Sequence, residues 1–366
     1  MRERVVVGMS GGVDSSVTAA LLVEQGYEVI GVTMRIWEPP GLDTRDARSC
    51  CGLGAAEDAR RVAAHLGIRH YVLDFQEIFR RMVVDDYVGE YRAGRTPNPC
   101  IRCNEFIKFG ALWERARALG AQYLATGHYA RIRRDPESGR RLLLRAADPR
   151  KDQSYALYRL SQEQLAHTLF PLGEQGKEET RRMAAAMALP VARKPDSQEV
   201  CFIPDGDTPK FLSQMAPDTA TPGPVQTPEG RVLGTHPGIA FFTIGQRRRI
   251  PVAVGEPLYV TEIDAASRAI TVAPGAHPAR RARSLLAAQP HWIDRERLTG
   301  DVVVSAKVRY NMADRPALLS PAEEGRVRVT FEEPQVAITP GQAVVCYRDE
   351  VVLGGGVIER VEREPA

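Results

Sequence analysis

The chain has 366 residues, more than one ordinary domain needs, and its 43% hydrophobic and 26% charged content matches a soluble globular protein with material for real cores. No apolar run approaches the roughly 20 residues of a membrane-spanning helix, and a net charge of +3 gives no overall basic signal for a nucleic-acid partner. Six cysteines in so long a chain are too few for a disulfide scaffold.

From the N-terminus, "RVVVGM" (4–9) predicts a strand, "SSVTAALLVEQG" (15–26) a helix and "EVIGVTM" (28–34) a second strand. A helix over 55–67, a strand at 69–75, a helix over 105–119 and a strand at 121–129 continue the alternation, which implies a parallel sheet with helices on both faces. Ligands of such sheets sit beyond the carboxyl ends of the strands. "GMSGGVDSS", "TM" (33–34) and "TGHY" (126–129) all fall there. "RRDPESGRRLLLR" (133–145) predicts a hairpin, and helices follow near 161–169 and 176–188. After about residue 205, Pro and Gly punctuate short β-type runs such as "LYVTEID", "DVVVSAKVRY" and "VVLGGGVIERV", so the second part is expected to be all-β. No leader-like segment precedes "VVVGM", and the expected compartment is the cytoplasm, with no membrane partner. Basic clusters at 131–134, 245–249 and 280–283 modestly favour a polyanion.

The loop "SGGVDSS" (10–16) stands between a strand and a helix, where Gly11 and Gly12 let successive amide N–H groups face one concavity and the helix adds its positive end. It lacks the Gly-Lys of a Walker A loop and the GxGxxG dinucleotide pattern. Asp14 is the diagnostic residue, because a carboxylate repels phosphate unless a cation such as Mg²⁺ bridges them. Strand–SGGxDS–helix marks the ATP-pyrophosphatase group, which cleaves ATP between the α and β phosphates and attaches AMP to a substrate oxygen. The bland reading is a glycine turn whose Asp and Ser cap the helix.

"TPNPCIRCN" (96–104) places Cys100 and Cys103 two residues apart. Zinc needs four ligands, and no second CxxC or close His pair supplies the other two. His128, Cys201 or the Cys50–Cys51 pair could complete a site only through the fold, and a thioredoxin-like redox pair would sit at a strand–helix junction of a different fold. Cys201, in "KPDSQEVCFIP", has polar company suited to a working thiol, or else is a small buried hydrophobe in a strand-like Val200, Phe202, Ile203 setting. Cys50, Cys51 and Cys346 lack such company and are expected to be structural.

"GMSGGVDSS", "TPNPCIRCNEFIKFG", "LATGHYAR", "KDQSYAL", "PDSQEVCFI", "TIGQRR", "KVRYN" and "TPGQAVV" occur in that order over nearly the whole chain. In this the sequence resembles the bacterial tRNA-specific 2-thiouridylases. The resemblance implies an adenine-nucleotide alpha-hydrolase-like (PP-loop) parallel-sheet domain at 1–205, a small β-rich, tRNA-contacting central domain at 206–280 and a C-terminal β-barrel at 281–366. It implies ATP-dependent 2-thiolation of the wobble uridine, in which the C2 carbonyl oxygen is adenylated and sulfur then displaces AMP. ATP would lie on Gly8, Met9, Ser10, Gly11, Gly12, Val13, Asp14 and Ser15, with Met34 and Gly127 at the adenine and ribose side. Cys201 matches the persulfide carrier and Cys103 the nucleophile, which together would pass through a disulfide.

Anticodon-arm contacts are implied for Asn98, Pro99, Cys100, His128, Lys151, Asp152, Gln153, Arg309, Tyr310 and Gln342. Sulfur would come from a persulfide-donating relay protein or a cysteine desulfurase. Cys100 stands where many members have Asp, and with Cys103 and Cys201 it would form a three-thiol set able to hold a [4Fe–4S] cluster as an alternative route. Another ATP-pyrophosphatase would not need Cys103 and Cys201, and a tRNA-binding module would hold ATP without turning it over.

Overall fold

The computed structural model describes residues 2–38, 53–195, 200–203 and 205–363. These form two compact units, one made of residues 1–83, 99–206 and 350–352, the other of 84–98, 207–349 and 353–366.

The first unit is built on β1 (Arg4–Gly8), β2 (Glu28–Arg35), β3 (Arg69–Asp74) and β4 (Tyr123–Ala125), in the order β3-β2-β1-β4 with Thr168–Leu169 at the far edge. Every pairing is parallel. The run "RVVVG" has no polar face because both sides of β1 are covered, as central parallel strands require. Val5 and Val7 of β1 meet Val13, Val17 and Ala20 of α1 (Val13–Glu24) and Ala59 and Val62 of α2 (Leu53–Leu66) in one core. Each buried valine of this kind contributes about 1.5–3 kcal/mol relative to exposure. The chain leaves β1 toward β2 and β3 and then returns to the other side of β1 as β4. The order therefore reverses between β1 and β4, and the crevice beyond their carboxyl ends is where this topology binds ligands.

The second unit holds a four-stranded sheet of Leu258–Asp264, Ala269–Pro274, Gly223–Gln226 and Val232–His236. Val225, Val260, Ile270 and Val272 form its core. It also holds a six-strand barrel ordered Arg281–Trp292, Val327–Val336, Arg315–Pro321, Val302–Lys307, Ala343–Arg348 and Val351–Glu362, which closes by pairing the last strand with the first. Closure removes the exposed edges that an open sheet would carry. Cys346, inside the barrel wall, is fully buried, and burial pushes its thiol up to about 12. Helix Asp85–Arg92 belongs to this unit: the Tyr87 ring meets Phe211 edge-on and Arg92 pairs with Asp218 at 2.7 Å.

The parallel sheet, the β-rich middle and the barrel match the architecture expected from sequence, and the predicted hairpin forms between Arg131–Arg134 and Arg141–Leu144. Two local expectations change. Residues 200–203 form a turn closed by Ile203 N–H donating to Val200 O at 2.9 Å, not a strand, because Phe202 and Ile203 are both buried rather than alternating. The helix over 105–119 is a π-helix from Cys103 to Ala111 before it becomes α-helical. Cys50 and Cys51 lie outside the described residues, as do residues 196–199. No helix among the described residues is long and apolar enough to cross a membrane.

Candidate active site

The glycine loop turns tightly onto the head of α1. Gly11 has a φ of +67°, and a Cβ there would stand 2.3 Å from the Ala55 carbonyl at the start of α2, so glycine is required twice over. Gly12 is the extended N-cap of α1 and supplies no side-chain cap. The hydroxyls fold back on the loop instead: Ser16 donates to Gly12 O at 2.8 Å, Ser15 donates to the same oxygen at 3.2 Å, and Ser10 N–H donates to Ser15 Oγ at 3.2 Å. The first N–H groups of a helix have no partner within it, so a loop shaped by its own serines presents an anion cradle.

Gly127, just beyond β4, closes that cradle from the other side. A Cβ at Gly127 would lie 2.8 Å from Ser15 N and 2.9 Å from Asp14 C, so only glycine lets the two segments touch. Met9 and β2 complete the floor: Met9 N–H donates to Val32 O at 2.8 Å, and the Thr33 hydroxyl donates to Met9 O at 2.8 Å. Met34, at the end of β2, is half-buried.

Asp14 does not stand alone. Lys177, at the head of helix Lys177–Ala186, donates to both its oxygens at 2.7 and 2.8 Å, and the Tyr129 hydroxyl donates to Oδ1 at 2.8 Å. Sequence gave no pointer to Lys177, 163 positions downstream. Among the described residues no three His, Cys, Asp or Glu side chains gather to hold a metal ion. Asp14 therefore offers one carboxylate, the arrangement Mg²⁺ accepts when substrate phosphates supply the other ligands.

His128 sits half-buried between Phe109 and Phe170, with ring centroids 5.9 and 6.0 Å away. Lys108 Nζ lies 3.3 Å from its Nε2 and the Thr126 hydroxyl 2.7 Å from its Nδ1. An ammonium can only donate, so Nε2 accepts and Nδ1 carries the proton toward Thr126. Desolvation first, and then the Lys108 charge, push the imidazole well below its ordinary 6.5. The folded protein thus resists a proton that the unfolded chain takes up below about pH 6.5, so stability is lost as pH falls through that value. Between pH 7.5 and 5, the wild type should lose up to about 2 kcal/mol more than His128→Gln in urea unfolding. Equal losses would contradict a neutral His128.

Cys103 is buried at the first position of the π-helix, Cys100 is exposed on the preceding turn Pro99–Arg102, and Cys201 is half-buried. Single π turns recur at functional sites. Here the register is fixed from several directions. Asn104 Nδ2 donates to Ala156 O at 2.9 Å, while its buried Oδ1 has no hydrogen-bond partner among the described residues. Glu105 pairs with Arg159 at 2.8 Å, and a Cβ at Gly110 would press to 3.1 Å from Glu105 O.

Lys194, seven positions before Cys201 in the chain, donates through Nζ to Gly11 O in the nucleotide loop at 3.0 Å and pairs with Asp58 at 2.7 Å. Beyond the thiol, Phe202 meets Phe79 edge-on at 5.8 Å, and the helix carrying Phe79, Gln76–Phe79, packs on the π-helix that starts at Cys103. The helix Gln76–Phe79 is thus a shared neighbour of Phe202 and of the π-helix that starts at Cys103.

The remaining sequence candidates divide. Lys151 is half-buried at a turn, where its N–H donates to Asp148 O at 3.0 Å. The Asp152 carboxylate faces inward and accepts from Ala146 N, Ser154 N and the Ser154 hydroxyl, so it shapes this segment from within. Gln153 is locked to Tyr129. Asn98, Arg309, Tyr310 and Gln342 belong to the second unit. There Gln342 Nε2 donates to Thr96 O at 2.8 Å and Pro97 O at 3.0 Å, holding the segment that leads to Asn98. Arg309 donates to Ile244 O at 2.6 Å, and exposed Tyr310 has Lys307 Nζ 5.6 Å from its ring centre. Pro99 begins the helical turn that leads to Cys103.

Sequence models of three domain families match the chain: a tRNA methyl transferase HUP domain over residues 3–205, a tRNA methyl transferase PRC-barrel domain over 209–274 and an aminomethyltransferase β-barrel domain over 282–358. The tRNA-specific 2-thiouridylase MnmA of Heliobacterium modesticaldum is 52% identical over 362 residues, spanning 98% of this chain and 93% of that protein. The protein of the same name from Pelotomaculum thermopropionicum is 52% identical over 359 residues, 98% of each chain. That from Desulforamulus reducens is 49% identical over 365 residues, 100% of this chain and 99% of its own.

Proposed function

The chain belongs to the tRNA-specific 2-thiouridylases, enzymes that use ATP to thiolate tRNA, and on that premise we propose how its own residues divide the work. ATP lies on residues 8–15 with its phosphates at the head of α1 and its nucleoside toward Met34 and Gly127. The observation that supports this most strongly is the Gly127 approach to Ser15 N, which leaves a walled anion cradle at the strand-order reversal. Mg²⁺, held by Asp14 and the phosphates, would neutralise charge on the departing pyrophosphate.

The uridine C2 oxygen attacks the α-phosphorus, the bond to pyrophosphate breaks, and an O-adenylated base results. Adenylation is needed because a urea-like carbonyl is a poor electrophile. A relay protein or a cysteine desulfurase loads Cys201 with a persulfide. The Cys103 thiolate attacks the inner sulfur of that persulfide, forming a disulfide with Cys201 and releasing the outer sulfur as hydrosulfide. Hydrosulfide adds to C2, the C2–O bond breaks, and AMP leaves. An external thiol supplies the two electrons that reopen the disulfide. Asn98, Cys100, His128, Lys151, Gln153, Arg309, Tyr310 and Gln342 serve the RNA, with His128 and Tyr310 offering rings to an unstacked base. Among the described residues Cys100, Cys103 and Cys201 do not gather as a ligand group, and the reading proposed here is the persulfide route in place of a [4Fe–4S] cluster.

The test is stoichiometric. A transcript with the wobble uridine should release AMP and pyrophosphate in equal amounts with 2-thiouridine, and the same transcript with cytidine at that position should release neither above background. Release that ignores the wobble base would overturn the reading.

A further inference from the structure

Three hydrogen bonds run from the segment expected to meet RNA, through Tyr129, to the carboxylate expected to serve ATP. Gln153 N–H donates to Tyr129 O at 2.9 Å, and Tyr129 N–H donates to Gln153 Oε1 at 3.0 Å. This reciprocal pair fastens the end of residues 151–153 to Tyr129. The Tyr129 ring is 2% exposed, and its hydroxyl reaches across to donate to Asp14 Oδ1 at 2.8 Å while standing 3.0 Å from Thr180 Oγ1. Lys177 grips the same carboxylate by both oxygens.

Asp14 is therefore aimed by two groups of different kind. Lys177 is a charge that holds it, and Tyr129 is a neutral donor whose position follows Gln153. The ring is close-packed, so a shift of the backbone at Tyr129 carries the hydroxyl with it. Asp152 stiffens the other end of the link, since its carboxylate binds three donors from its own loop and so makes residues 151–153 move as a block.

We infer that Tyr129 is a positioning residue that ties RNA contact at residues 151–153 to the placement of the Asp14 carboxylate beside the nucleotide phosphates. The inference rests on the function proposed above and adds to it: RNA engagement would improve nucleotide binding through the Gln153 and Tyr129 link. A displacement of about 1 Å at a group that positions reacting atoms is enough to change a rate by roughly two orders of magnitude. A short rigid link thus suffices.

The experiment measures equilibrium binding of α,β-methylene-ATP with Mg²⁺ to the full chain, with and without saturating substrate tRNA, in the wild type and in Tyr129→Phe. The wild type should bind the nucleotide about tenfold more tightly with tRNA, a usual size for coupling between sites. Tyr129→Phe should bring that ratio close to one while leaving tRNA affinity and the melting temperature near wild type. Gln153→Leu, which removes the acceptor at the other end of the link, should collapse the ratio too. A purely structural role for Tyr129 would weaken nucleotide binding equally with and without RNA. Such a result, a wild-type ratio retained in both variants, or a wild-type ratio of one would each overturn the inference. Tightening lost in neither variant, with wobble-dependent pyrophosphate release intact, would sink the link alone and leave the proposed function standing.

Discussion

Cys103→Ser and Cys201→Ser should each abolish 2-thiouridine formation, by roughly 10³-fold or more, as removal of a covalent catalyst does. Both should keep wobble-uridine-dependent pyrophosphate release within a few-fold of wild type. On the proposed reading, the two halves of the reaction use different parts of the first unit. That reading assigns adenylation to the loop at residues 8–15, Gly127 and Asp14, and the hydrogen bonds described for that loop run among Ser10, Gly12, Ser15 and Ser16 and from Tyr129 and Lys177 to Asp14. Serine preserves size, and Cys103, buried at the head of a helix pinned by Asn104 and Glu105, can be exchanged without opening a cavity. Cys100→Ser should retain thiolation, since Cys100 is exposed and the persulfide route gives it no electron-transferring step. Loss of thiolation in all three variants would favour a cluster instead. Loss of pyrophosphate release in Cys201→Ser would mean that the thiols and the nucleotide loop do not act separately.

The second large effect concerns Asp14. Asp14→Ala should reduce pyrophosphate release by roughly 10²-fold or more, the scale on which one preorganised charge-stabilising group acts. It should also destabilise the nucleotide-free protein, because it strands the Lys177 ammonium. The Lys177 side chain is 11% exposed and that of Asp14 31%. Breaking a fully buried pair costs about 3–5 kcal/mol, and the partial exposure of Asp14 points to a cost of about 2–3 kcal/mol here. Adding Lys177→Met removes the stranded charge with a side chain of similar length, so the double variant should melt above Asp14→Ala while remaining as inactive. A double variant no more stable than the single would show that the ion pair contributes little. Full pyrophosphate release in Asp14→Ala would remove the carboxylate from the nucleotide chemistry.

Much of the first unit was legible because its signals are local. An all-apolar "VVVGM" between Arg4 and Ser10, a double glycine and an amphipathic continuation state strand, loop and helix within 25 residues, and repeated alternation implies a parallel sheet. The barrel was legible as β-rich but not strand by strand. Arg281–Trp292 carries Gln289 and Pro290 near its end and Arg315–Pro321 begins with Arg-Pro, which hides both from an alternation pattern. The π-helix left no local signal: the run over 105–119 is marked in the sequence only as helical, and the widening to i+5 hydrogen bonding spans Cys103–Ala111, where Asn104, Ile107 and Phe109 are buried. The strand-like reading of Val200, Phe202 and Ile203 weighed propensity where tertiary burial decided the outcome.

In the candidate site, glycine positions were readable from motif chemistry. Their reasons were not: Gly127 is required by Asp14 and Ser15, and Gly11 by Ala55, contacts between residues far apart in the chain. Lys177, Tyr129, Lys108 and Lys194 carry no local signal for the same cause. Each is an ordinary residue until the fold sets it against Asp14, His128 or Gly11.

Where sulfur resides before it reaches the base decides the proposed mechanism, and mass spectrometry of the peptide containing residue 201 tests that most directly. Cys103→Ser, charged by a persulfide donor and then alkylated without reductant, should carry one additional sulfur atom on Cys201 that persists in the presence of ATP and tRNA. The wild type should shed that sulfur to the RNA within one turnover. An unmodified Cys201 in the charged variant, or the extra sulfur found on Cys103 in wild type with Cys201 untouched, would contradict it.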